Sequence, residues 1–412
     1  MLKRIKVADV RVGMFIEKFC GSWMDHPFWK TRFLLSSERD LQRIRGSAVS
    51  ELWIDTARGL DVAEGVGQSE AEVAAQTDAM LDAIANPSSE TKGSLTEELE
   101  QAARLCARSK EAIVSMFNEA RMGQAVEIAG ARELVEEISE SVARHPDALI
   151  SLARLKTSDE YTYMHSVAVC ALMIGLARQL DLPEAQVREA GLAGLLHDIG
   201  KMAMPPEVLN KPGKLTDAEF ALMREHPAAG HAMLVGKEVS DGVLDVCLHH
   251  HEKYDGSGYP QRLQGSDISL LARMGAVCDV YDAITSNRPY KNGWDPAESI
   301  RRMAEWQGHF DPLVFQAFVK SVGIYPVGSL VRLQSGRLGV VLEQSEKSLL
   351  TPKVKVFFSA RSKTPLPVEV VDLAKRGVSD KIVARENPED WNFPYLAELW
   401  SGLPARKGSY FD

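Results

Sequence analysis

Gly194-Leu195-Leu196-His197-Asp198-Ile199-Gly200-Lys201 is the stretch on which the reading of this chain turns. It closes an apolar helical pattern with adjacent His and Asp, and Gly200 then lets the backbone turn tightly. Neighbouring residues on a helix point about 100° apart, so a cation held by both His197 and Asp198 lies between their directions, at a helix end. A carboxylate has two oxygens and can serve two cations at once, which an imidazole cannot. Two cations about 3.5–4 Å apart, bridged by Asp198 and a water, form a hydrolytic clamp.

Working outward, six of the ten histidines fall in four short places: His165, His197, His226 and the run His249-His250-His251. Imidazole and carboxylate suit borderline transition metals, and a metal site in a helical bundle draws one or two ligands from each of several helices. Helical patterning over 161–180, 184–197, 216–235, 239–252, 267–285, 295–307 and 312–321 provides such a bundle. Thr216 with Glu219 reads as a capping box, and Asp311-Pro312 as an N-cap followed by the first helical residue. By spacing alone, any two of the three consecutive histidines are candidate ligands, and Asp279 competes with Asp282 on one helix face. The segment Gly256-Ser257-Gly258-Tyr259-Pro260 reads as a turn that a ligand can approach closely. Arg288 and Lys291, just beyond the helix carrying Asp279, suit a phosphate, the one as a fork and the other as a point charge.

The chain has 412 residues, 45% hydrophobic and 25% charged, which predicts two or three domains of an ordinary soluble protein. A net charge of −9 argues against a broad grip on duplex nucleic acid. Five scattered cysteines without a C-x-x-C fit a reducing compartment. The longest apolar run, Val167 to Ala177, is too short for a bilayer, which needs about 20 residues, and the N-terminus shows no signal-peptide pattern. The expectation is a cytoplasmic protein without a membrane segment. Four regions are expected: a small β-rich domain over 1–60 with Trp23, Phe28, Trp29 and Trp53 for its core; an acidic helical linker over 61–140; a helical metal-binding domain over 141–322; and a C-terminal extension over 323–412. Short strands are expected at 330–333, 339–342 and 354–358, then a loosely packed tail. The fold class is mainly α with β-rich ends.

His197-Asp198-Ile199-Gly200-Lys201, together with His250-His251-Glu252 and Gly258-Tyr259-Pro260, resembles the HD-GYP family of cyclic-di-GMP phosphodiesterases, a branch of the HD metal-dependent phosphohydrolases. The likeness spans roughly residues 140–330. Gly13-Met14-Phe15 and Trp23-Met24-Asp25-His26-Pro27-Phe28 resemble the small domain found ahead of many such modules. The resemblance implies that His165, His197, Asp198 and Asp279 hold one metal, and that Asp198 bridges to a second held by His226, His250 and His251. It implies that Asp198 and Lys201 act at the scissile phosphate, that Arg288 and Lys291 grip the dinucleotide phosphates, and that Gly258 and Tyr259 line the pocket. His249 is then left as a surface residue or a support for the ligands, and Asp282 as an acceptor that supports them. Tyr161 stands where family members with a third metal carry Glu, so two divalent ions, iron or manganese, are expected. The implied reaction is hydrolysis of cyclic-di-GMP to pGpG and onward to GMP in bacterial signalling. A non-hydrolytic sensor of the dinucleotide and a general HD nucleotidase stand as alternatives. A diguanylate cyclase, another signalling protein or a second copy of the chain are the partners this family admits.

Overall fold

The structure, a computed structural model, describes residues 1–21, 32–47, 49–63, 66–84, 95–122, 128–153, 161–209, 211, 213, 215–286, 293–345, 348–393 and 395–402. The chain opens with an antiparallel sheet in the order β3-β2-β4-β1-β5. Its strands are β1 (Leu2–Lys6), β2 (Phe15–Phe19), β3 (Phe33–Leu34), β4 (Glu51–Asp55) and β5 (Gln68–Ser69). Alternating Ile5, Ile16, Leu52 and Ile54 bury one face, and α1 (Glu38–Arg45) covers it with Leu41 and Ile44. The Ser37 hydroxyl accepts from the Asp40 N–H to cap that helix. Trp53 is buried as expected; Trp23, Phe28 and Trp29 lie outside the described residues.

The next helices are α2 (Glu70–Ile84), α3 (Leu95–Arg121), α4 (Ile128–Arg144) and α5 (Pro146–Ala153). Residues 95–144, read from sequence as part of a linker, carry two helices with a full apolar stripe. Leu99, Leu105, Ile113 and Phe117 on α3, and Leu134, Val135, Ile138 and Val142 on α4, join the same buried cluster as the helices that follow.

The bundle continues with α6 (Tyr161–Gln179), α7 (Glu184–Leu196), a 3-10 turn over Ile199–Ala203, α8 (Pro206–Leu209), α9 (Asp217–Met223), α10 (His226–Leu234), α11 (Asp241–His249), α12 (Leu270–Thr285), α13 (Pro296–Glu305) and α14 (Pro312–Val322). α6 is buried on every side from Met164 to Ala177, the mark of a central helix, and packs on α7 and α12. α11 closes the group against α7 and α12. The capping box at Thr216 and the Asp311 cap both form. The single helix expected over 216–235 is two, broken at Arg224-Glu225, and His226-Pro227 opens the second.

Gly200 fixes where those pieces meet. A methyl group at this position would overlap the carbonyl oxygen of His226 and the backbone of Gly230. The turn after Asp198 therefore rests directly on α10, and only a residue without a side chain permits that approach.

After α14 comes a second antiparallel sheet in the order β10-β6-β7-β8-β9, made of β6 (Leu330–Leu333), β7 (Arg337–Glu343), β8 (Lys353–Ser359), β9 (Thr364–Asp372) and β10 (Ile382–Arg385). The expected loose tail is in part ordered. β10 pairs with β6, Phe393 packs on Phe357 and Phe358, and α15 (Leu396–Ser401) buries Trp400. Phe393 sits in irregular backbone and α15 is short, so these contacts leave no period in the sequence. The mainly helical bundle flanked by two small β-rich regions is the fold class the sequence predicted. Among the described residues no helix is long and apolar enough to cross a membrane.

Gly200→Ala is expected to destabilise the chain by about 1–3 kcal/mol, the usual cost of forcing extra volume into packed structure. Chemical denaturation measures it; an unchanged midpoint would show that α10 yields freely.

Candidate metal centre

Each predicted ligand sits where local structure can aim it. His165 lies in the second turn of α6 and Asp279 mid-way along α12. His197 is the C-cap of α7 and His250 that of α11, while His226 is the first residue of α10. The last carbonyls of a helix have no partner within it, and the two capping histidines use them. His197 Nδ1 lies 2.7 Å from Gly194 O, and His250 Nδ1 lies 3.0 Å from Val246 O and 3.1 Å from Cys247 O. His226 does the same at the end of α9, with Nδ1 2.8 Å from Met223 O. His165 Nδ1 lies 2.6 Å from Asp282 Oδ2, and Ser286 Oγ donates to the other oxygen of Asp282. A carbonyl only accepts, so Nδ1 of His197, His226 and His250 carries the proton, leaving Nε2 as a lone-pair donor turned inward.

These lone pairs converge on Asp198. Its Oδ2 lies 3.5 Å from His165 Nε2 and 3.3 Å from His197 Nε2. Its Oδ1 lies 3.2 Å from His226 Nε2 and 3.7 Å from His250 Nε2. One carboxylate thus addresses two imidazole pairs, one per oxygen. Asp279 Oδ1 stands 3.0 Å from His165 Nε2, and its Oδ2 stands 3.7 Å from His251 Nδ1. The donor atoms fall into two groups, Asp198 with His226, His250 and His251, and His165 with His197 and Asp279; within each, all lie within 4.8 Å of one another. The Lys201 ammonium contacts Asp198 Oδ2 and stays partly exposed.

Burial opposes the charge of Asp198, but Lys201 and His197 beside it hold its carboxyl well below the usual carboxylate range. Asp279 is likewise pushed down, since its hydrogen bond to His165 and the positive ends of His251 and His197 outweigh burial. Burial, with His197 and His226 nearby, pushes the His250 imidazole down to about 3. Burial and His250 push His251 down as well. At neutral pH the pocket therefore holds two carboxylates beside two neutral imidazoles. His197 goes the other way: burial lowers it, but Asp198 and Asp279 raise it more.

Such a set fits a divalent cation. Among the described residues, His197 Nε2, Asp198 Oδ1 and Asp279 Oδ2 are buried polar atoms with no hydrogen-bond partner. Buried polar atoms are normally satisfied, and cations held by the two donor groups would satisfy these.

The structure brings His165, His197, Asp198, Lys201, His226, His250, His251 and Asp279 into one pocket. Tyr259 stacks on His251 with ring centroids 4.8 Å apart, and Gly258 packs so tightly on the backbone of His251–Lys253 that a side chain has no room. His249 is not part of the pocket group and pairs with Asp245 at 2.7 Å. Arg288 and Lys291 lie outside the described residues, as does the side chain of Tyr161. Sequence reading passed over Arg224, whose guanidinium lies 4.3 Å from the centroid of the Tyr259 ring. Its one sequence signal is its place two residues before His226.

The HD-domain family matches residues 136–314, and a domain of unknown function, DUF3391, matches residues 2–131. Cyclic di-GMP phosphodiesterase PA4108 of Pseudomonas aeruginosa is 65% identical over 414 aligned positions, spanning 100% of this chain and 99% of that protein. Cyclic di-GMP phosphodiesterase response regulator RpfG of Xanthomonas campestris is 38% identical over 46% of this chain and 51% of its own. The 3′3′-cGAMP-specific phosphodiesterase 1 of Vibrio cholerae is 35% identical over 42% of each chain.

Asp282→Ala is expected to weaken metal affinity about 10–100-fold, because it frees the ring of His165 to turn. Titration of metal-stripped protein with manganous ion measures this, and wild-type affinity would show that the Asp282 contact orients nothing.

Proposed function

The chain belongs to the HD-GYP family of HD-domain cyclic-di-GMP phosphodiesterases, and from that premise we propose how its residues divide the work. It is a metal-dependent phosphodiesterase that hydrolyses cyclic-di-GMP. The observation that carries the division of roles is the Asp198 carboxylate, one oxygen directed at His165 and His197, the other at His226 and His250.

His165, His197, Asp198 and Asp279 are the ligands of one ion in this proposal. Asp198, His226, His250 and His251 are those of a second, with iron or manganese as the metal. Bound there, such ions supply Lewis acidity and lower the pKa of a water so that it attacks at neutral pH. The protein's own groups do the rest. Asp198 holds both halves of the site in register. Lys201, anchored on Asp198 and open to solvent on its other side, meets the charge that develops on the phosphoryl oxygens. Gly258 brings backbone close to the pocket, and Tyr259 forms a wall beside His251. Arg288 and Lys291 hold the dinucleotide phosphates. The product is pGpG, and a second cleavage yields GMP. The two β-rich regions, up to about residue 60 and after about 322, are left for a signalling partner or a second copy.

Protein loaded anaerobically with ferrous or manganous ion is expected to convert cyclic-di-GMP to pGpG or GMP, followed by chromatography of the products. Asp198→Ala is expected to abolish turnover. Arg288→Ala is expected to raise KM about tenfold or more with bound metal retained, the scale of a lost charge-assisted contact. Dinucleotide bound but left intact by metal-loaded wild type would overturn the enzymatic reading, and metal loss in Arg288→Ala would overturn the role given to that residue.

A further inference from the structure

Arg224 carries a charge that the roles above leave unused. It is the C-cap of α9, two residues before His226, and is partly exposed. Its guanidinium lies 4.3 Å from the centroid of the Tyr259 ring, and that ring is stacked at 26° on the imidazole of His251. Arg224 is thus one aromatic ring removed from the metal-ligand cluster.

Among the described residues its donors are open, unlike those of other arginines in the chain. Arg144, Arg178, Arg273, Arg302 and Arg337 each reach a carboxylate. Arg302 even combines a ring contact, with Trp294, and an ion pair with Glu298. Arg224 has the ring and no acid: among the described residues its guanidinium makes no ion pair or hydrogen bond. A guanidinium on an aromatic face gains cation–π attraction while its N–H edge stays free in the plane, the geometry that grips phosphate oxygens in pairs.

The charge balance of the pocket points the same way. A cyclic dinucleotide carries two phosphodiester charges on opposite sides of its ring. On the protein side Asp198, Asp279 and Asp282 are buried here, and Lys201 is already in contact with Asp198. Beyond Arg288 and Lys291, a phosphodiester that is not being cleaved can draw on one more cation, beside Tyr259.

We propose that Arg224 is a substrate-binding residue, its guanidinium braced on Tyr259 and its N–H groups on the phosphodiester of the cyclic dinucleotide that is not being hydrolysed. The assignment rests on the phosphodiesterase reading and adds a determinant to it. Charge and fork geometry both matter in this role, so Arg224→Lys retains part of the affinity and Arg224→Ala loses it.

Steady-state hydrolysis and equilibrium dialysis of cyclic-di-GMP on metal-loaded wild type, Arg224→Lys and Arg224→Ala test this, with metal content measured on each. The expected result for Arg224→Ala is KM and Kd raised about tenfold, with kcat changed less than about twofold and metal per chain unchanged. Arg224→Lys is expected to fall between. The same loss is expected with 3′3′-cGAMP, which shares the phosphodiesters and differs in one base. Unchanged KM and Kd would overturn the proposal, as would a fall in metal content or in kcat alone, which marks a support for His226. A loss confined to one dinucleotide would overturn it too, since that marks contact with a base. Wild type that binds cyclic-di-GMP without turnover ends the phosphodiesterase reading, yet the Kd comparison still decides the role of Arg224. Wild type that neither binds nor cleaves it ends both.

Discussion

The carboxylate of Asp198 is the point on which the helical bundle closes. It is almost fully buried, remains charged, and faces imidazoles from four helices or their ends together with the Lys201 ammonium. A buried ion costs several kcal/mol unless its surroundings return that in attraction and hydrogen bonding. Here the same surroundings are a set of inward lone pairs, so the arrangement is best satisfied by positive charge placed between them. The requirement of the fold and that of the chemistry coincide at one side chain.

The helix ends make this affordable in geometric terms. His197, His226 and His250 each return Nδ1 to a carbonyl three residues back, that of Gly194, Met223 and Cys247, a group that a helix terminus leaves without a partner. One hydrogen bond thus satisfies an orphan acceptor, fixes the tautomer and aims Nε2 at the pocket. His165, inside a helix where carbonyls are already engaged, needs a separate acceptor, and Asp282 provides it from α12. Gly200 lets the turn after Asp198 touch the start of α10, so the two halves of the ligand set cannot drift apart without opening a backbone contact.

The first sheet also reaches the neighbourhood of the pocket. Arg4 on β1 is buried and donates through Nη1 to Glu305 O at the end of α13, at 2.7 Å. The turn that follows accepts at His309 O from Tyr254 N–H and at Gly308 O from Asp255 N–H. Those residues lead into Gly258 and Tyr259; the Tyr259 N–H donates to His251 O and its ring lies against the His251 imidazole. The N-terminal region is thereby joined, through the Arg4 side chain and then backbone hydrogen bonds, to the loop that walls the site.

Much of this was legible without coordinates. Apolar periodicity marked the bundle from residue 161 to 322, and the helix ends followed from Pro, Thr-x-x-Glu and Asp-Pro signals, because these depend on neighbours along the chain. The histidine and aspartate positions were legible as a set, since ligand chemistry restricts residue type and helices restrict spacing. What the sequence could not express was convergence. The direction of each ring, the packing of 95–144 against the core, the ordered aromatics near the C-terminus and the approach of Arg224 to Tyr259 all depend on residues distant in the chain. Composition and spacing determined which chemistry this protein carries. Only the tertiary structure decided which atoms meet, because contact in space is set by packing between helices, and a local pattern holds no record of the neighbour it will face.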